Sequence, residues 1–180
     1  MSRGDPARET EPPQRLVVLC GPAFAGKSRV AELLRRLRGA AVVALDELNA
    51  RRGLASGEGL SRDEWARTHA WAIGVSDALL REGRRLVVID DTSCFRFLRE
   101  DYRRLAARRG VELWLVVLAT PEAEIRRRIA ANRRDQERPD LDPAVLEAHL
   151  ASFEWPGPDE DPVVIRPEDD PERRLVELGL

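Results

Sequence analysis

The sequence predicts a three-layer α/β domain, a five-stranded parallel sheet covered by helices on both faces. Three observations predict it. Short apolar runs alternate along the chain with segments whose apolar residues recur at helical spacing. Those runs are continuous, as strands buried on both faces are, rather than alternating in polarity. Between the first run and the first helical segment, Gly21-Pro22-Ala23-Phe24-Ala25-Gly26-Lys27-Ser28 fits the pattern G-x-x-x-x-G-K-[ST] at every required position.

Residues 1–14 are polar and carry prolines, and they read as a disordered leader to a single domain over 15–180. Leu16 to Cys20 is the first strand. A helix follows from Arg29, ended by Gly39. Ala40 to Leu45 is a second strand, and Asp46 to Arg52 lies just beyond its carboxyl end. Gly53 to Gly59 is too rich in glycine for core. Ser61-Arg62-Asp63-Glu64 is a capping box opening a long helix to about Arg81, with Trp65, Ala72, Val75, Leu79 and Leu80 as its expected buried side. Leu86 to Ile89 is a third strand ending in Asp90-Asp91. Phe95 to Arg109 is a helix closed by Gly110, and Leu113 to Leu118 is a fourth strand. Thr120-Pro121 caps and opens the next helix, which runs into an arginine-dense segment, about 126–140, expected to form a small helical lid. Asp142-Pro143 opens a further helix to Phe153. Val163 to Ile165 is a fifth strand, and Asp170-Pro171 begins the last helix.

The glycine motif sets the chemistry. Its glycines let the backbone curl so that successive N–H groups point at a phosphate chain, and the following helix adds the positive end of its dipole. The cradle is expected to run from Gly21 through Pro22, Ala23, Phe24, Ala25 and Gly26 to Lys27, Ser28 and Arg29. Lys27 is expected to reach the β- and γ-phosphates of ATP and the Ser28 hydroxyl to ligate Mg²⁺. A chance match is about 10⁻⁵ per position at ordinary glycine content. Lys27 is also the only lysine in a chain whose other basic residues are all arginine. A compact ammonium suits the phosphate cradle, and a planar guanidinium does not replace it.

Composition narrows the remaining classes. At 180 residues, 43% hydrophobic and 34% charged, the chain is that of one soluble globular domain. A net charge of −2 supplies no basic field for general nucleic-acid binding. Cys20 and Cys94 have no metal-site spacing and read as reduced thiols of a cytoplasmic protein. No stretch approaches the ~20 apolar residues of a membrane span, and no signal-peptide core is evident.

Ligands of parallel α/β sheets bind beyond the carboxyl ends of the strands. Asp90 follows four apolar residues and is expected to hold Mg²⁺, with Asp91 competing for that role. Asp46 is the expected catalytic base, positioned to take a proton from an acceptor hydroxyl, with Asp91 the alternative. Arg51 or Arg52 could hold the substrate. Among the lid arginines, Arg126 to Arg138, Arg128 is expected to touch nucleotide and Arg133 to neutralise charge on the transferring group; the competing reading is a solvated helix face. His69 and His149 read as packed or surface residues. Trp65 and Trp71 read as core, with base stacking the alternative.

These residues resemble those of the small P-loop kinases, a branch of the P-loop NTPase fold. Within them the chain is most similar to the polynucleotide-kinase-like group often labelled AAA family ATPases. The resemblance is carried by Gly21 to Ser28, by Asp46, by Asp90-Asp91-Thr92 followed by Arg96, and by Asn132-Arg133 to Arg138. It extends to Phe153-Glu154-Trp155-Pro156 after the lid. It implies ATP, Mg²⁺ and transfer of the γ-phosphate to a hydroxyl, with the base at Asp46. Polynucleotide kinases place an arginine three residues after that aspartate. Here the position is Asn49 and arginine arrives at Arg51, so a small-molecule hydroxyl is favoured over nucleic acid as acceptor. The alternative function is a nucleotide-binding regulator or slow NTPase that switches a protein partner.

Overall fold

The computed structural model describes residues 13–54, 60–135 and 141–180. Most of the expected leader, the tip of the glycine-rich stretch and Arg138 of the lid lie outside them. Five strands, β1 (Arg15–Cys20), β2 (Ala41–Ala44), β3 (Leu86–Asp90), β4 (Glu112–Leu118) and β5 (Val163–Ile165), form one sheet in the order β2-β3-β1-β4-β5. Every pairing is parallel, with Leu16 registered on Val87 and on Leu113. The helices are α1 (Lys27–Arg38), α2 (Leu45–Arg51), α3 (Arg62–Arg81), α4 (Arg96–Arg109), α5 (Glu122–Asp135), α6 (Pro143–Ser152) and α7 (Pro171–Glu177).

The central strand shows why its sequence is apolar throughout. Leu16, Val18 and Cys20 join Val87, Ile89 and Tyr102 in the core under α3 and α4. Val17 and Leu19 point the other way, into a second core with Val30, Leu34 and Leu175 from α1 and α7. Each of these side chains is almost wholly buried, worth about 1.5–3 kcal/mol apiece. A third, small cluster joins Ile125 and Ile129 of α5 to Leu146 of α6, with Phe24 against it.

Three local expectations change. The buried stripe of α3 is Thr68, Ala72, Ser76 and Leu80, while Trp65, Val75 and Leu79 are only partly covered. Two hydroxyls can sit in that stripe because each has a partner: Thr68 Oγ1 donates to Asn49 Oδ1 at 2.5 Å and Ser76 Oγ to the Ala72 carbonyl at 2.7 Å. Thr120 reaches beyond the start of α5; its hydroxyl donates to the Ala25 carbonyl, 2.9 Å away in the glycine loop. Gln14, assigned to the leader, is fastened to the domain, its amide donating to the carbonyls of Leu80 and Arg84. The capping box of α3 forms on the Ser61 side, whose hydroxyl accepts from Glu64 N.

Candidate active site

The loop between β1 and α1 is shaped by close contacts and unusual dihedrals. Gly21 packs so tightly that a Cβ there would lie 3.0 Å from the Leu118 carbonyl, and its N–H donates to the Thr92 carbonyl in the loop after β3. Gly26 takes φ 110, in the region that favours glycine, and opens α1 with no side chain capping it. Phe24 holds φ 63, a left-handed conformation costing of order 1 kcal/mol or more for a non-glycine residue. That loop is braced from outside. Arg128 Nη1 donates to the carbonyls of Phe24 and Ala25, each at 3.0 Å, while its Nε donates to Glu124.

Lys27 is nearly buried, and its ammonium donates to the carbonyls of Gly21 at 2.9 Å and Pro22 at 2.8 Å. Burial pulls its pKa down, while the nearby carboxylates of Asp90, Asp91 and Asp46 pull it back up. Asp90, at the end of β3, is hydrogen-bonded to the Ser28 side chain. Burial raises the pKa of Asp90, as do Asp46 and Asp91, and the Ser28 hydroxyl and Lys27 oppose them. Asp91 accepts from Ser93 N at 3.0 Å, closing the turn after β3. Burial raises its pKa also, against the hydrogen bonds from the Ser93 and Thr92 backbone. Asp46 lies exposed in the first turn of α2.

Three carboxylates around one ammonium leave negative charge to be neutralised. The Ser28–Asp90 pair offers hard oxygen donors, which suits Mg²⁺. No group of three or more His, Cys, Asp or Glu that could hold a metal occurs among the described residues.

Lys27, Ser28, Asp46 and Asp90 share the floor of one cavity of about 1210 Å³. Its walls rise from α3, α4 and α6. His69 and Trp65 face it from α3, and Asp101 and Phe97 from α4. His69 Nε2 lies 3.1 Å from Asp101 Oδ2, joining the two helices, and its ring meets Tyr102 edge-on. His149 of α6 also lines the cavity, and burial with the charge of Lys27 pushes its pKa down to about 4.

The remaining expected residues fall elsewhere. Arg133 donates to the Leu141 carbonyl at 3.0 Å, linking α5 to the start of the next segment, and is outside the cavity wall. Arg29 is exposed on the first turn of α1. Arg126 is ion-paired with Glu122 and Glu147, and Arg127 with Glu124, as on a solvated helix face. Arg52 bonds Glu64 and Thr68, so its guanidinium is engaged in fixing α2 to α3. Trp71 is 38% exposed and is not core.

One structural centre has no signal in the sequence. Arg99, 2% exposed, pairs in bidentate fashion with Glu160 at 2.7 and 2.8 Å and donates to the carbonyls of Ser93 and Glu154. Glu154 in turn accepts from Arg96 N and donates its own N–H to the Cys94 carbonyl. The Phe153–Pro156 segment is thereby tied to the loop after β3.

Solved structures share this fold. The APS kinase CysC of Mycobacterium tuberculosis, in complex with AMPPNP and APS, is similar at TM-score 0.65 and 22% identity over 93% of this chain and 96% of that one. A gluconokinase from Sinorhizobium meliloti is similar at TM-score 0.63 and 20% identity over 93% of each chain. A chain of the Pnkp1/Rnl/Hen1 RNA repair complex is similar at TM-score 0.65 and 21% identity, over 81% of this chain and 45% of that one. No curated protein matches the chain. The family model for an AAA domain matches residues 16–156, from β1 through the segment that follows α6, and the chain belongs to that family.

Proposed function

We propose that this protein is an ATP-dependent phosphotransferase that moves the γ-phosphoryl group of ATP to a hydroxyl of a small molecule. The observation that carries the reading is the shared cavity floor: Lys27, the Ser28–Asp90 pair and Asp46 line one cavity that continues well past the phosphate loop. A protein that only sensed nucleotide would not need the extra room. The solved kinases of this fold act on APS and gluconate by name, and they support the class without naming this acceptor.

In this reading Lys27 exchanges its two carbonyl partners for β- and γ-phosphate oxygens, and the N–H groups of Gly26, Lys27 and Ser28 hold the phosphate chain. Ser28 and Asp90 would hold Mg²⁺, which supplies positive charge to the phosphate oxygens. Asp46 takes the proton from the acceptor hydroxyl as its oxygen bonds to the γ-phosphorus and the bridging bond to ADP breaks. The proton ends on the carboxylate and the electron pair of the broken bond on ADP. Arg128 positions the loop from behind, through Phe24 and Ala25. Two buried thiols and the need for ATP fit a reducing cytoplasmic setting, and no helix among the described residues is long and apolar enough to cross a membrane.

The test is ADP formation with and without hydroxyl acceptors. A phosphotransferase is stimulated by an acceptor, with phosphorylated product in step with ADP. Stimulation by a protein partner alone, with no phosphorylated product, would overturn the reading in favour of a nucleotide switch.

A further inference from the structure

The cavity continues from the phosphate loop as a groove between α3 and α4. Trp65, Ala66, Ala70 and Ile73 line it from one face of α3, at the spacing of successive helical turns. Phe95, Phe97 and Leu98 line it from the start of α4. Phe95 and Phe97 stack with their centroids 5.6 Å apart, yet Phe97 stays 63% exposed. Val145 of α6 borders the same opening and is 41% exposed. Large apolar side chains that line a cavity and still face water are those a ligand covers.

Size points the same way. The cavity, about 1210 Å³ with the space over the phosphate loop included, leaves room for a bulky group beside the phosphate site. A small polyol would leave the aromatic walls wet. The same wall carries the His69–Asp101 pair and, from α3 and α4, Arg62, Arg104 and Arg108, polar points suited to orienting substituents of a ligand otherwise held by apolar contact. The floor decides what kind of ligand this is. The groove is continuous with Lys27, Asp46 and Asp90, so its occupant presents a group to the phosphate site.

We infer that the acceptor is a bulky, largely apolar alcohol carrying a ring. Its ring lies against Trp65 and Ile73 on one side and Phe97 and Leu98 on the other, and its hydroxyl reaches Asp46. The fate of the hydroxyl rests on the phosphotransferase reading; the occupancy of the groove does not.

The experiment separates the two. Naphthylmethanol and cyclohexylmethanol are compared with gluconate and glycerol, by calorimetric titration in the presence of a non-hydrolysable ATP analogue with Mg²⁺ and by ADP formation with ATP. The ring alcohols are expected to bind and to be phosphorylated at least about tenfold better than the polyols. Ala70→Phe narrows the groove from an exposed helix position. It is expected to raise the ring-alcohol KM about tenfold or more while the affinity for the ATP analogue holds. Phe97→Ser, at a position too exposed to threaten folding, is expected to raise that KM as well. Preference for gluconate or glycerol, no heat from the ring alcohols, or an unchanged ring-alcohol KM in Ala70→Phe would overturn the inference. Ring alcohols that bind the wild type and not Ala70→Phe, with no phosphorylated product, would keep the groove and remove the phosphotransferase. Polyol phosphorylation insensitive to Ala70→Phe would do the reverse.

Discussion

Lys27 is held inside the loop it is proposed to serve, with its ammonium on two loop carbonyls and little room around it. An arginine at this position carries the charge in a planar fork that two adjacent carbonyls cannot cradle in the same way. Lys27→Arg and Lys27→Ala are both expected to lower ATP turnover by about 10²-fold or more, the scale for losing one transition-state donor. Wild-type ADP release from Lys27→Arg would dispose of the role. His149 gives a second residue-scale expectation. Its folded pKa, about 4, lies below the ordinary 6.5 because burial and Lys27 disfavour the imidazolium. A depressed pKa contributes stability that is present above pH 6.5 and is lost as pH falls through about 4. The loss is up to about 3 kcal/mol. Urea unfolding between pH 7 and pH 4 is expected to be less pH-dependent in His149→Gln, and an unchanged slope would show that His149 titrates normally. Cys20 behaves oppositely. Burial pushes its thiol up to about 12, so it stays protonated, and alkylation at pH 8 should require unfolding.

At the scale of elements, two strand ends divide the proposed work. Asp90 ends β3 against Ser28, and Asp46 opens α2 just after β2. Asp90→Asn is expected to weaken nucleotide binding and raise the Mg²⁺ requirement. Asp46→Asn is expected to leave ATP affinity nearly intact and to lower transfer by ~10²–10⁴-fold, the range of general-base assistance. Titration of nucleotide and measurement of turnover on each variant read the two roles independently, and the reverse pattern would exchange them. A different pair ties elements together. Arg99 on α4 and Glu160 before β5 are both buried, and the guanidinium holds the Glu160 carboxyl below the usual range. Glu160→Gln leaves a buried cation short of its partner, at a cost of about 3–5 kcal/mol. A fall in Tm of several degrees, without loss of m-value, is the expected reading. A Tm shift within a degree would mean that the two carbonyl bonds of Arg99 suffice.

For the whole molecule, the unequal size of the clusters sets where it opens. The sheet is sealed on both faces, whereas α5 and α6 meet through a few side chains around Ile125, Ile129 and Leu146. Few buried contacts mean low local stability. Amides of α6 are expected to exchange faster than those of β1 and β4, and to slow when an ATP analogue and Mg²⁺ bind, because Phe24 joins the α5–α6 cluster to the phosphate loop. Equal exchange in both states would show that the α5–α6 cluster does not respond to the occupant of the phosphate loop.

Local signals and long-range contacts divide what could be read in the chain. Continuous apolar runs, glycine stops and an eight-residue motif are properties of short segments, so the sequence by itself determined the parallel sheet, the strand-loop-helix unit and the residues at its strand ends. On α3, Ala72 and Leu80 are buried as the pattern predicts, but Thr68 and Ser76 look like surface residues until Asn49 and a helical carbonyl give their hydroxyls partners. Arg99 was invisible because Glu160 lies 61 positions away, and no local pattern announces such a pair. Thr120 reads as a cap and Arg128 as a nucleotide contact, and only the packing around the loop shows the Thr120 hydroxyl on the Ala25 carbonyl and the Arg128 guanidinium on those of Phe24 and Ala25. The groove between α3 and α4 was likewise decided by tertiary structure alone. A cavity is the space left between helices, and its depth depends on how two distant segments pack, which neither segment encodes separately.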